Sequence, residues 1–216
     1  GDSVGYGADP VAVVRQVQNL VAEGAWVLKG NHDAMAVSPP VQVSNVGDST
    51  AGWTHAQLNN EQLDFLSKLP LTIQQNKLLM VHASANEPEL WRYVIDARSA
   101  GASLDAAANI PEVRYVFGGH VHLQTLYYRG AGAGLMSFSP TPGIAVPVPK
   151  HRHWLATIGS VGQPRDGNTQ AMYALFDMGK LQLTFHRVIY DHHAAATAIR
   201  RAGLAPFFAD RLESGR

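Results

Sequence analysis

The 216-residue chain contains no cysteine. That excludes disulfides, iron–sulfur clusters and thiolate-held zinc, and it fits a reducing compartment. Neither charge is in excess: 17 basic residues balance 17 acidic ones, so the chain lacks the field needed to grip nucleic acid by its phosphates, although a small nucleotide ligand is not excluded. Charged residues make up 16% of the chain, too few for a self-repelling disordered tail. No apolar run approaches the roughly 20 residues of a membrane span. With 46% hydrophobic residues the chain can build a sizeable core, and its length suits one large domain over residues 1–216. The expectation is a soluble cytoplasmic protein with no membrane partner and no extended nucleic-acid surface. Histidine is what stands out, with ten residues, several of them clustered with polar partners.

The pattern along the chain alternates helix and strand. Asp9 suits a helix cap and Pro10 the first helical position, and Val13, Val14, Val17, Leu20 and Val21 form an apolar stripe ending near Gly24. Residues 25–28 read as a short buried strand. Residues 59–67 read as a helix stopped by Pro70, and 77–81 as a strand ending at His82. An alanine-rich helix is predicted over 97–108, and a strand over 114–117 ending at Gly118-Gly119-His120. Between 126 and 148, glycines and prolines interrupt short β-type runs; the glycine run at 130–134 lacks the strand–helix context of a nucleotide fingerprint and reads as a loop. Strands are predicted over 154–158, 171–176 and 181–188, and a short helix over 194–201 before a polar tail. This is one layered α/β domain. A loop-to-helix opening is odd for such alternation, and a strand and helix are expected before Gly1.

Four segments carry oxygen or imidazole ligands: Gly1-Asp2; Gly30-Asn31-His32-Asp33; His82; and Gly119-His120-Val121-His122. Each has a plainer reading. Gly-Asp is an ordinary turn, Asn-His-Asp a helix cap, and His82 a hydrogen-bonded core residue; His-x-His divides evenly between structure and ligation. The last three, however, follow apolar strands, and open α/β sheets collect their sites beyond the carboxyl ends of strands. The four segments are therefore not independent, and together they favour a metal site.

The order Gly-Asp, Gly-Asn-His-Asp, strand-end His, Gly-His-x-His resembles the calcineurin-like metallophosphoesterase superfamily. Residues 159–166, Gly-Ser-Val-Gly-Gln-Pro-Arg-Asp, and the region of Tyr190-Asp191 resemble its small prokaryotic phosphodiesterase branch. The resemblance implies a four-layer α/β/β/α sandwich with two divalent metals at strand ends. It implies that Asp2 bridges the metals, that Asn31, His82 and His120 complete one site, and that His122 serves the other. His32 would act on the phosphate as charge stabiliser or acid, with Asp33 orienting its imidazole. Such cations, held about 3.5–4 Å apart, polarise the phosphoryl group and activate a bridging hydroxide. The mixed donor set suits Mn²⁺, Fe²⁺, Ni²⁺ or Zn²⁺. The family's opening Asp-x-His motif has no counterpart before Asp2, which leaves the first metal site incomplete. Roughly 30 or more further residues, forming the missing strand and helix, are expected ahead of Gly1.

The implied activity is hydrolysis of a small, nucleotide-like phosphodiester. Residues 1–7 lack the Arg and second Asp that protein phosphatases of this family place around their Gly-Asp. A non-catalytic, protein-binding scaffold is the alternative from another class; the intact Gly-Asn-His-Asp argues against it and the missing Asp-x-His for it. Arg165 divides evenly between a phosphate-binding guanidinium and a locally paired residue in a turn. His151 and His153 are expected at the surface, and His192-His193 at an exposed helix start. Trp91-Arg92-Tyr93 are expected to pack, with a substrate wall as the other reading.

Overall fold

The computed structural model describes residues 1–44, 46–130 and 134–216. In chain order the elements are α1 (Pro10–Ala22), α2 (Asn31–Val37), α3 (Val46–Gln57), α4 (Asn60–Lys68), β1 (Thr72–Gln75), β2 (Leu78–Val81), α5 (Ala97–Ala108), β3 (Tyr115–Gly118), β4 (Gln124–Arg129), β5 (Leu135–Phe138), β6 (Ala145–Pro147), β7 (Trp154–Ile158), β8 (Ala171–Asp177), β9 (Gln182–Val188), α6 (His192–Arg201) and α7 (Pro206–Ser214). A 3-10 turn at Pro88–Leu90 precedes α5. Part of the 130–134 glycine run lies outside the described residues. The chain forms two compact units, one of Gly1–Leu71 with Asp191–Ser214 and one of Thr72–Tyr190 with Gly215–Arg216.

The second unit is sheet-based. Six strands pair in the order β1-β2-β3-β7-β4-β5, and three more in the order β6-β9-β8. β2, β3 and β7 run parallel. Parallel strands covered on both faces should read as continuous apolar runs, and β3 and β7 do. Val116 and Leu155 join a core with Leu104 and Ala107 of α5. Their neighbours Tyr115, Trp154 and Ala156 face the opposite way, onto Leu183 and Phe185 of the smaller sheet. Helix, sheet and sheet are thus layered by the two-residue period of the strands. β1 was not legible in the polar run Thr-Ile-Gln-Gln. It pairs with β2 through a two-residue turn at Asn76-Lys77, where Asn76 adopts the left-handed φ of 51° that tight hairpins require.

The first unit is helical. In α4, Asn59 accepts from Gln62 N at 2.9 Å and its own N–H returns to Gln62 Oε1 at 3.2 Å, a reciprocal capping box. Two expectations fail in this unit, and a third holds only in part. Residues 25–28 form no strand: the Ala25 amide returns to Leu20 O at 2.9 Å, the Lys29 amide goes to Pro70 O at 2.8 Å, and Trp26 is 55% exposed. A strand exists only through its ladder, and the described residues provide none there. The α1 stripe is present, but Val13, Leu20 and Val21 are exposed while Val14 is buried. The polar tail contains α7, whose Phe208, Ala209 and Leu212 pack on Ala196 and Ile199 of α6.

Candidate metal centre

Each unit carries a group of the candidate residues. In the second, the parallel register aligns the carboxyl ends of three strands. Met80 lies opposite Phe117, and Gly118 opposite Thr157, so His82, Gly119 and Gly159 all leave the sheet at one edge. The Gly119 amide donates to His82 O at 2.8 Å and ties the first two ends together. The chain then turns sharply: Val121 N donates to Gly119 O at 2.7 Å, and His120 and His122 take left-handed φ values of 65° and 61°. Non-glycine residues rarely adopt that region, and such strain gathers at functional sites.

The turn brings His120 Nδ1 to 3.2 Å from His82 Nε2, with the residues 7% and 5% exposed. This spacing fits a shared cation. Two nitrogens bound to one metal at about 2.0–2.1 Å, at tetrahedral or octahedral angles, stand about 2.9–3.4 Å apart. Tyr93 stacks on the His120 ring, with centroids 4.2 Å apart and planes at 28°. Trp91 meets His82 edge-on at 5.9 Å. Trp91 and Tyr93 thus lie against the histidine pair, whereas Arg92 is exposed and pairs with Glu87 at 2.6 Å. Tyr93 remains 52% exposed.

His122 lies 2.6 Å, through Nδ1, from the carbonyl oxygen of Gln163. A carbonyl can only accept, so Nδ1 carries a proton, and in the neutral ring Nε2 is then the nitrogen with ligand character. Arg165 belongs to the same cluster. Its amide donates to His122 O at 3.2 Å, and its Nε and Nη2 donate to Gln163 Oε1 at 3.1 and 2.8 Å. His153 is not at the surface as expected. It is half-buried, bonded to Arg114 Nη1 at 3.2 Å, and burial, then the charges of Arg114 and Arg129, hold its pKa below the ordinary imidazole value. His192 opens α6 as expected.

In the helical unit, Asp2, Asn31, His32 and Asp33 form one construction. Gly30 caps α2 and Asn31 is its first residue. The Asp33 carboxylate, 0% exposed, accepts four main-chain amides: Asp2 and Gly30 on Oδ2, both at 2.8 Å, and Ser3 and Val4 on Oδ1 at 2.8 and 3.3 Å. Asp2 is bent to a φ of 55°, and its Oδ1 accepts the His32 amide at 2.8 Å. Gly30 leaves the room this needs, since a Cβ there would lie 2.1 Å from Asp2 Oδ1. Burial pushes the Asp33 carboxyl above its ordinary value, and the Asp2 carboxylate adds to this, while the Gly30 and Ser3 amides pull it down. A cation on Asp2 would offset that second cause.

The role expected for Asp33 is therefore corrected. Among the described residues its hydrogen bonds go to the main chain that carries Asp2, not to the His32 ring. At the third position of a short helix the carboxylate points back over the amino end, where amides lack partners. His32 is buried, and its ring is set by other neighbours. Tyr6 meets it edge-on at 4.4 Å and is itself stacked on Phe208 at 4.7 Å, while Gly5 runs so close that a Cβ there would lie 3.0 Å from the ring's Cγ. Tyr6 and Gln163 were not singled out from the sequence; Gln163 lay inside the 159–166 motif, which was read for Arg165 alone.

No family model matches the chain. Over its whole length it is 30% identical to an uncharacterised protein of Methanocaldococcus jannaschii, covering 85% of that protein. A metallophosphoesterase of known structure from Sphaerobacter thermophilus is 31% identical, with a TM-score of 0.85 over 100% of this chain and 86% of that one. A hypothetical protein from Pyrococcus horikoshii, at 16% identity and a TM-score of 0.76, covers 100% of this chain and 83% of its own; that likeness is one of fold.

Proposed function

Since this chain belongs to the calcineurin-like metallophosphoesterase superfamily, whose fold implies divalent metal and phosphoester hydrolysis, we propose that it cleaves the phosphodiester bond of a small, nucleotide-like substrate. The observation that carries this reading is the buried His82–His120 pair, with its nitrogens at the 3.2 Å spacing of two ligands to one cation. Asp2, Asn31, His82, His120 and His122 hold the divalent cations in this reading. Mn²⁺, Fe²⁺, Ni²⁺ and Zn²⁺ all suit this donor set of imidazole, carboxylate and amide oxygen. When bound, such cations supply Lewis-acid polarisation of the phosphoryl group and an acidified water.

The chain's own groups do the rest. Asp33 holds the main chain of Asp2, and the His32 amide fixes the Asp2 carboxylate. The His32 ring, in contact with Tyr6 and close to Gly5, gives a proton to the leaving oxygen, a contribution typically worth about 10²–10⁴-fold. Arg165 pairs with a non-bridging oxygen of the substrate phosphate. A diester carries a single negative charge, which asks for one guanidinium beside the cations rather than a ring of them.

The test is an assay of metal-stripped protein given each of these four cations in turn, on bis(p-nitrophenyl) phosphate and on p-nitrophenyl phosphate. Hydrolysis that depends on added cation and favours the diester is expected. A tenfold preference for the monoester would overturn the diester assignment, and no turnover of either ester with any cation would overturn the hydrolase reading.

A further inference from the structure

The loop that follows β7 is pinned at both ends. Gln163 N donates to Ser160 Oγ at 2.9 Å, and Asp166 pairs with the largely buried Arg187. Between these anchors Gln163, 4% exposed, makes two contacts of different kinds. Its main-chain carbonyl takes the Nδ1 proton of His122. Its side-chain oxygen takes the Nε and Nη2 protons of Arg165. Arg165 closes the ring by donating its amide to His122 O. One buried residue thus sets the tautomer of a metal ligand through its backbone and the direction of a guanidinium through its side chain.

We infer that Gln163 is a positioning residue of the phosphoesterase site, orienting Arg165 toward the substrate phosphate while leaving its charge undiminished. The inference rests on the functional reading above. Gripping one edge of the planar guanidinium fixes its plane, so less freedom is lost when phosphate binds. A carboxylate in the same place would orient Arg165 equally well but would offset its positive charge, weakening its attraction for an anion. An amide oxygen is neutral and orients through this contact without that offset. A glutamine buried for packing alone would have no need to present its oxygen to an arginine two residues along.

The two contacts of Gln163 separate in mutagenesis, because a side-chain change leaves the carbonyl in place. Gln163→Ala, Gln163→Glu, Arg165→Ala and the double variant Gln163→Ala/Arg165→Ala are compared with wild type. Three measurements are made: Mn²⁺ content by elemental analysis, the dissociation constant of inorganic phosphate on Mn²⁺-loaded protein by calorimetry, and kcat and KM on bis(p-nitrophenyl) phosphate. Expected are wild-type Mn²⁺ content in every variant, a KM and a phosphate dissociation constant raised roughly tenfold in Gln163→Ala, and a rise of roughly ten- to a hundredfold in Arg165→Ala. The double variant should match Arg165→Ala within about twofold, since the glutamine acts only through the arginine. Gln163→Glu, nearly isosteric, should keep the thermal midpoint yet bind phosphate about as weakly as Gln163→Ala. Additive single effects, loss of Mn²⁺ from Gln163→Ala, or a Gln163→Glu that binds phosphate like wild type would overturn the inference while leaving the functional reading intact. A Mn²⁺-loaded wild type that hydrolyses no phosphoester would overturn both.

Discussion

Asp33→Asn is the sharpest single perturbation of the helical unit, because it keeps the shape of the side chain and changes one atom. Both carboxylate oxygens are occupied by two main-chain donors each: Asp2 and Gly30 on one, Ser3 and Val4 on the other. Whichever way the asparagine amide is turned, its NH₂ faces two N–H groups and two hydrogen bonds are lost, with no cavity created. Hydrogen bonds to a charged group contribute about 1.5–3 kcal/mol each, so the expected loss is about 3–6 kcal/mol. Relief of the burial cost of the carboxylate, the chief cause of its raised pKa, places the outcome toward the lower end. Against a total stability of about 5–15 kcal/mol this is a large fraction. Urea unfolding followed by circular dichroism measures it directly, and Mn²⁺ affinity measured alongside should fall as the Asp2 turn loosens. A variant within 1 kcal/mol of wild type, with unchanged metal affinity, would refute the view that Asp33 holds the Asp2 main chain.

Gly30→Ala places a methyl carbon 2.1 Å from Asp2 Oδ1 and 2.2 Å from Asp2 N; the Asp2 turn must open, and elemental analysis should find metal content reduced at least severalfold. His32→Ala should lower kcat by about 10²–10⁴-fold with metal content unchanged, whereas His120→Ala should lose metal and activity together; equal metal loss in both would show that ligand and acid have been wrongly divided. In the α6–α7 pair, Arg200 donates to both carboxylate oxygens of Glu213 at 2.8 and 2.7 Å, and these bonds, the largest cause, hold the Glu213 pKa down at about 2. A depressed carboxylate contributes stability above its unfolded value that is lost as pH falls toward 2, so Glu213→Gln should flatten the acid limb of a stability–pH curve between about 4.5 and 2; an unchanged limb would contradict the pairing.

Sequence periodicity was enough for elements whose burial is written into neighbouring residues. Residues 114–117 and 154–158 read as strands because β3 and β7 are buried on both faces, and the helix over 59–67 is closed at its start by Asn59 and Gln62, which complete its own cap. It failed where a partner far along the chain decides the outcome. Residues 25–28 have the composition of a strand and no ladder among the described residues; β1 has a polar composition and acquires its ladder from β2. α7 looked like a tail because the surface that buries Phe208 and Leu212 belongs to α6. The same division holds at the site. The residue types and order of Gly-Asp, Gly-Asn-His-Asp, His82 and Gly-His-x-His named the family and the candidate ligands, because ligand chemistry resides in side-chain identity. What Asp33 holds, which tautomer His122 adopts and what Arg165 pairs with were decided by tertiary structure. Each depends on a hydrogen-bond partner 30 or 41 residues away, or on a side chain such as Gln163 that carries no signal of its own. Residue type fixes what a group can donate or accept; only the fold brings it the partner that settles which it does.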